Sequence, residues 1–157
     1  MESQLKTKLA LLTILCNATQ IYRRTIPKEK KEKYQQNLKK IIIDLIIKID
    51  SGTLKNEDIR GKIKKLAEIA DVSIGAAQKT INVYLKFYCI VSNKSDDILK
   101  ELDCPIDSKV QKNNPLKRIS LKDINFDNYV NMQNILEKKY DLSIIADFEA
   151  YDESKVY

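Results

Sequence analysis

At 157 residues the chain is long enough for one domain with a real core and too short for two ordinary ones. It has no histidine, and its three cysteines (Cys16, Cys89, Cys104) show no CxxC spacing, which argues against a zinc or iron–sulfur site. No metal and no cofactor is expected, and a reducing cytoplasm is the natural home. The net charge of +6 is unevenly placed: residues 120–157 hold 4 basic and 8 acidic side chains, whereas residues 1–119 hold 24 and 14.

A basic body over 1–119 points to an anionic partner, most often nucleic acid, and DNA ahead of RNA. The plainer alternative is a solvated lysine-rich surface. The acidic part, 120–157, either folds back on the basic body or lies on a face without a partner. Only 3 glycines and 3 prolines occur, and no segment alternates as a strand. The expected fold class is therefore all-α. One compact domain over 1–157 should hold seven to eight helices around a buried central helix at 73–91.

The first predicted helix covers about 2–22, with Leu5, Leu9, Leu12, Cys16 and Ile21 on its buried side. Its polar residues recur at helical spacing, so it reads as an amphipathic helix and not as a signal peptide. Arg23, Arg24, Lys28, Lys30, Lys31 and Lys33 cluster just after it and are the expected phosphate contacts. Pro27 suits the first turn of a second helix. That helix ends in an apolar run at 41–49, interrupted by Asp44 and Lys48 and too short to span a bilayer, so no membrane partner is expected.

Gly52 closes the second helix. Asn56 then reads as an N-cap, with Glu57 and Asp58 well placed against the helix dipole. Ile59, Ile63, Leu66, Ala67 and Ala70 form one face of the third helix. Ser73 caps the fourth helix and Ser95 a short fifth. Pro105 forces Cys104 out of helical geometry, so Asp107 can cap a short sixth helix through Val110. Asn113-Asn114-Pro115 is a turn. Two last helices start at Asp127 and Ser143 and run to about Tyr140 and Tyr151.

The central segment supports two specific readings. Leu66-Ala67-Glu68-Ile69-Ala70-Asp71-Val72-Ser73 resembles the first helix and turn of many bacterial and archaeal helix-turn-helix repressors. The resemblance implies a recognition helix over 74–82, with Gln78, Lys79 and Asn82 directed at base edges and phosphates. A recognition helix must keep one face exposed. Val83, Tyr84, Leu85, Phe87, Tyr88, Ile90 and Val91 leave only Lys86 and Cys89 between them, which predicts a helix buried all round in its C-terminal half. Lys86 is expected to contribute little to stability.

The second reading joins Gln78-Lys79-Thr80-Ile81 to Cys104-Pro105-Ile106-Asp107-Ser108. These two elements resemble the lysine and Pro-x-Asp elements of helix-hairpin-helix DNA glycosylases, the archaeal 8-oxoguanine enzymes in particular. By that resemblance Lys79 is the nucleophile that attacks a sugar carbon and Asp107 its electrostatic partner. Ile74-Gly75 is all that stands in place of the superfamily's Gly-x-Gly hairpin, leaving Gly75 as the position for backbone contact with phosphate. An amine attacks only when deprotonated, and both a helix N-terminus and apolar surroundings favour the neutral form. A carboxylate stabilises the positive charge left on a sugar by a departing base. Tyr84, Phe87 and Tyr88 are the candidates to stack on a base taken out of the duplex.

The same residues resemble uncharacterised bacterial and archaeal proteins that share Gly-x-Ala-Gln-Lys followed by Pro-x-Asp-Ser, a likeness that extends to Tyr129 and Asp147-Phe148-Glu149 but implies no activity. Bland readings stand beside each of these: a surface lysine at 79, a simple N-cap at Asp107, and core aromatics at 84, 87 and 88. A third class is a small interaction protein without catalysis, for instance a viral or mobile-element factor. An exposed apolar patch would favour it.

Overall fold

Pro27 (φ −55°, ψ 146°) leads into a single 3₁₀ turn, Lys28–Lys30, which continues as helix α1, Lys31–Asp50. The computed structural model describes residue 6 and residues 26–152. Apart from Lys6, the predicted helix over 2–22, with Arg23 and Arg24, lies outside the described residues. Tyr34, Leu38, Ile41, Ile42, Leu45, Ile46 and Ile49 recur at three- and four-residue steps and form the buried stripe of α1. Gly52, at φ +72°, makes the left-handed turn that lets the chain reverse.

Helix α2 (Asn56–Ala70) buries Ile59, Ile63, Leu66, Ala67 and Ala70, the face its periodicity predicts. Its start differs from expectation, because Lys55 occupies the N-cap position and Asn56 is the first helical residue. The Asn56 amide instead reaches across to the Glu101 carbonyl (3.0 Å) and Asp103 Oδ1 (2.8 Å). Asp58 Oδ2 takes over the capping duty by accepting from the Lys55 N–H at 2.9 Å. The helix ends at Asp71 in the left-handed region (φ 50°), where Lys30 Nζ donates to its carbonyl (2.8 Å) and carboxylate (2.5 Å).

Helix α3 (Ile74–Val91) is the central helix. Ser73 Oγ accepts from the Ala76 N–H at 3.0 Å and donates to the Leu121 carbonyl at 2.9 Å. Gly75 packs so closely under that carbonyl that an added Cβ would lie 2.0 Å from the Leu121 oxygen. From Gly75 to Lys86 every residue except Lys79 is buried, whereas Phe87, Ile90 and Val91 are exposed. The predicted burial of the C-terminal half holds for Val83, Tyr84, Leu85 and Tyr88 but fails for Phe87, Ile90 and Val91, while the N-terminal half is enclosed apart from Lys79. Short helices α4 (Asp96–Leu99) and α5 (Ser108–Asn113), a 3₁₀ turn at Leu121–Asp123, α6 (Phe126–Lys139) and α7 (Ile145–Ala150) complete an all-α fold with no strand among the described residues. Helices α1, α2 and α3 pack on one another, α6 against α3, and α7 against α5, around one core.

Residues 102–107 pass through this core without regular structure, and all six are buried. Buried peptide groups need partners, and two glutamine side chains supply them. Gln78 Oε1 accepts from the Ile106 N–H (3.0 Å) and Nε2 donates to the Ile106 carbonyl (2.7 Å). Gln133 does the same for Cys104, at 3.0 and 2.7 Å. Each amide pairs with the backbone as a neighbouring strand would, since it offers one acceptor and one donor side by side. The segment is also held by Asp103, which accepts a two-pronged contact from Arg60 (2.9 and 3.0 Å) and a hydrogen bond from the Tyr129 hydroxyl (2.5 Å). Burial, and then the Asp103 carboxylate, push the Tyr129 phenol well above its ordinary pKa, which keeps it a donor.

Candidate functional site

Lys79, Val83, Lys86 and Phe87 share one face of α3 and form one wall of a cleft of about 470 Å³. Asp107, Asp147, Phe148 and Tyr151 form the other. The Gln78 bracket on Ile106 places the residue after each of them, Lys79 and Asp107, across from one another. Lys79 Nζ lies 3.7 Å from Asp107 Oδ2. The two oxygens of Asp107 divide their work: Oδ1 accepts from the Lys109 and Val110 N–H groups, both at 3.0 Å, and so caps α5. Oδ2 faces the cleft, where the Tyr151 hydroxyl also donates to it.

A second lysine–aspartate pair lies two turns further along α3. Lys86 Nζ is hydrogen-bonded to Asp147 Oδ2, and both side chains are buried. Burial raises the Asp147 carboxyl above its ordinary pKa of 3.8. The Lys86 hydrogen bond and charge oppose that rise, and the nearby Asp107 carboxylate adds to it. Burial, followed by the Asp107 carboxylate, also raises the Tyr151 phenol. The Cys104 thiol is raised by its burial first and then by Asp147 and Asp107, so it is inert as a nucleophile. Phe87, Phe148 and Tyr151, at 40, 46 and 47% exposure, give the cleft an aromatic rim, and the Lys86 ammonium lies 4.7 Å from the Phe87 ring centre and 5.3 Å from that of Phe148.

The structure thus brings Lys79, Asp107 and Phe87 into one place and removes several other sequence-predicted residues from it. Gln78 (0% exposed) and Asn82 (2%) are interior residues. Asn82 Nδ2 donates to the Tyr129 hydroxyl at 2.9 Å, and neither side chain can meet a base edge. Gly75 faces Leu121, not a phosphate. Tyr84 and Tyr88 are buried and stacked on each other, centroids 6.3 Å apart and 4° between planes, with the Tyr88 hydroxyl donating to Asp50 (2.7 Å). They are core aromatics, not a base-stacking pair. The helix–turn–helix order is present in α2, Asp71 and α3, but the face over 74–82 is covered, so α3 is no recognition helix. Lys28 and Lys31 are exposed at the start of α1, while Lys30 is engaged by Asp71.

Lys86, expected to be unimportant, is a buried half of an ion pair. Its seven-residue spacing from Lys79 amid apolar neighbours was the available signal. The acidic C-terminal part folds back on the basic body through Lys86–Asp147, Tyr151–Asp107 and Arg60–Glu137 (3.6 Å). Among the described residues no group of His, Cys, Asp or Glu is arranged to hold a metal ion, and no described helix is long and apolar enough to cross a membrane. No protein-family model matches the chain, and no curated protein and no solved structure matches it either. The resemblance to helix-hairpin-helix glycosylases therefore rests on the two short motifs around Lys79 and Asp107.

Proposed function

We propose that the protein binds nucleic acid and that the Lys79–Asp107 cleft receives an unstacked base for excision. The observation that carries this reading is the 3.7 Å approach of Lys79 Nζ to Asp107 Oδ2 inside one cleft with an aromatic rim. Phe87, Phe148 and Tyr151 offer ring faces to a base, and Asp107 offers a carboxylate to the charge developing on the sugar. In the step, the Lys79 Nζ lone pair forms a bond to C1′ as the C1′–N bond breaks. The base leaves with that electron pair and takes up the proton released from the amine. Ring opening then gives a C=N linkage between Lys79 and the sugar.

Borohydride reduces such a linkage to a stable secondary amine, so it should trap a covalent protein–DNA adduct on oligonucleotides carrying a damaged base. Lys79→Gln should abolish trapping while binding is largely kept, because one of many positive charges is lost. Asp107→Asn should slow base release, with stability measured alongside since Asp107 also caps α5. Absence of any adduct across oxidised, deaminated and abasic substrates ends the enzymatic reading. Binding itself should weaken steeply as salt rises, because phosphate contacts release condensed counterions.

One observation favours a second reading, a protein-docking role without catalysis. Phe87, Ile90 and Val91 (74% exposed) present apolar side chains together at the end of α3. No shift of DNA or RNA in gels at low salt would place that reading first.

A further inference from the structure

Next to the cleft lies a second cavity of about 370 Å³, lined by Ser108, Lys109, Gln111, Lys112, Arg118, Ile119 and Ser120. Its walls are built by two ties. Gln111 Nε2 donates to the Ile119 carbonyl (3.0 Å) and Oε1 accepts from the Ile119 N–H (2.7 Å), which holds Arg118 and Ser120, on either side of Ile119, across from α5. Ser73, the cap of α3, holds the next turn through the Leu121 carbonyl at 2.9 Å. The loop that closes the cavity is therefore fastened both to α5 and to the helix that carries Lys79.

The lining holds three cations, two hydroxyls, an amide and the apolar Ile119, and no carboxylate. Lys30, Lys48, Lys55, Arg60, Lys62, Lys79, Lys86 and Lys94 each have a carboxylate partner. Among the described residues, none pairs with Lys109, Lys112 or Arg118. Lys109 instead lies over the ring of Tyr151, 4.4 Å from its centre, which joins this cavity to the rim of the cleft. Three like charges around one small cavity repel one another, and an occupant with several negative oxygens relieves that repulsion. The guanidinium fork of Arg118 suits two such oxygens at once, the lysines suit point contacts, and the serine hydroxyls add neutral donors.

We propose that this cavity is a phosphate site. Resting on the nucleic-acid reading above, its occupant is a backbone phosphodiester beside the nucleotide whose base enters the cleft, since Asp107 of the cleft and Ser108 of the cavity are consecutive. A free phosphate or mononucleotide shares the same chemistry.

The test compares the wild type with Arg118→Gln, Lys112→Gln and the double variant, and with Lys138→Gln, an exposed lysine outside the cavity, as control. All these side chains are exposed, and thermal melts are to check that each variant folds. Fluorescence anisotropy with a DNA oligonucleotide should give a log K against log salt plot whose slope shrinks by about 0.9 for each cavity cation removed. The control should leave the slope unchanged. In a second arm, inorganic phosphate and AMP are added at matched ionic strength and the melting temperature is read. Stabilisation of the wild type but not of the double variant, with no DNA binding by any form, upholds the cavity for a free phosphate and ends the nucleic-acid reading. DNA binding whose slope is the same in the wild type and the double variant, with no phosphate effect that the variants remove, overturns the cavity proposal and leaves the nucleic-acid reading standing.

Discussion

Gln78 holds Ile106 by both of its backbone polar groups, at 3.0 and 2.7 Å, and so sets the separation of the next residue of each, Lys79 and Asp107. The ion pair at the cleft is partner-dependent on this interior amide. A polar residue that looks available for a base thus works inside the protein, positioning the pair.

Gln78→Leu should keep the volume of the side chain and leave the Ile106 N–H and carbonyl unpaired in the core. An unsatisfied buried group costs about 1–3 kcal/mol, so the variant should lose at least that much in urea unfolding. At this chain length about 1 kcal/mol moves the melting temperature by roughly 2–4 °C. A loss below about 0.5 kcal/mol would show that the bracket contributes nothing net and that the 102–107 segment is held by Asp103 and Gln133 alone.

Lys86→Met should be costly, because it strands the buried Asp147 carboxylate. Removing one partner of a buried pair destabilises by about 3–5 kcal/mol, while replacing both with apolar residues is often close to neutral. Lys86→Met/Asp147→Leu should therefore recover most of the loss. The pH dependence gives a second readout. Asp147 already has a folded pKa above its ordinary 3.8, so the folded state holds this proton more tightly than the unfolded state does. Its stabilising contribution is complete below that ordinary value and is lost as pH rises through the folded one. Lys86→Met raises the folded value further, so the deficit of the variant should be small near pH 4 and grow toward neutrality. A deficit that is flat with pH would mean that Asp147 is not the group left stranded.

Asp58 works in the opposite sense. The Lys48 hydrogen bond (2.6 Å), and then the Lys55 N–H, hold its carboxyl below the ordinary 3.8. Its contribution is present above that value and fades as pH falls through the lower folded one. Asp58→Ala should cost about 0.5–1 kcal/mol at pH 7, the scale of a partly screened charge at a helix start. Stability curves of the variant and the wild type should converge in acid. Curves that stay parallel down to pH 2 would assign the loss to packing and not to the charge.

Helix boundaries were largely legible in the sequence. The apolar stripe of α2, the Ser73 cap of α3 and the Asp107 cap of α5 follow from interactions within a few residues, and periodicity and capping chemistry read such interactions directly. Asn56 has the local look of an N-cap, but its amide finds Glu101 and Asp103, 45 and 47 residues away, which compete with its own helix start. Lys79 and Asp107 were legible as a pair of residue types; their distance was not.

By itself, the sequence determined that the chain is helical, where most of the described helices start, and that 73–91 forms the central helix, because these depend on local backbone preferences and on the spacing of apolar residues. Only the tertiary structure decided which polar side chains go inside. Gln78, Lys86 and Asp103 are buried at positions where solvent is the usual place for such groups, and each is tolerated there by hydrogen-bonding partners distant in sequence; Asn82 is only half served, its Nδ2 bonded to Tyr129 and its buried Oδ1 without a partner among the described residues. Burial of a polar group is favourable or ruinous according to those partners, and no local pattern records them. The same long-range packing turned the apolar end of α3 outward, where Phe87, Ile90 and Val91 meet solvent although their sequence reads as core.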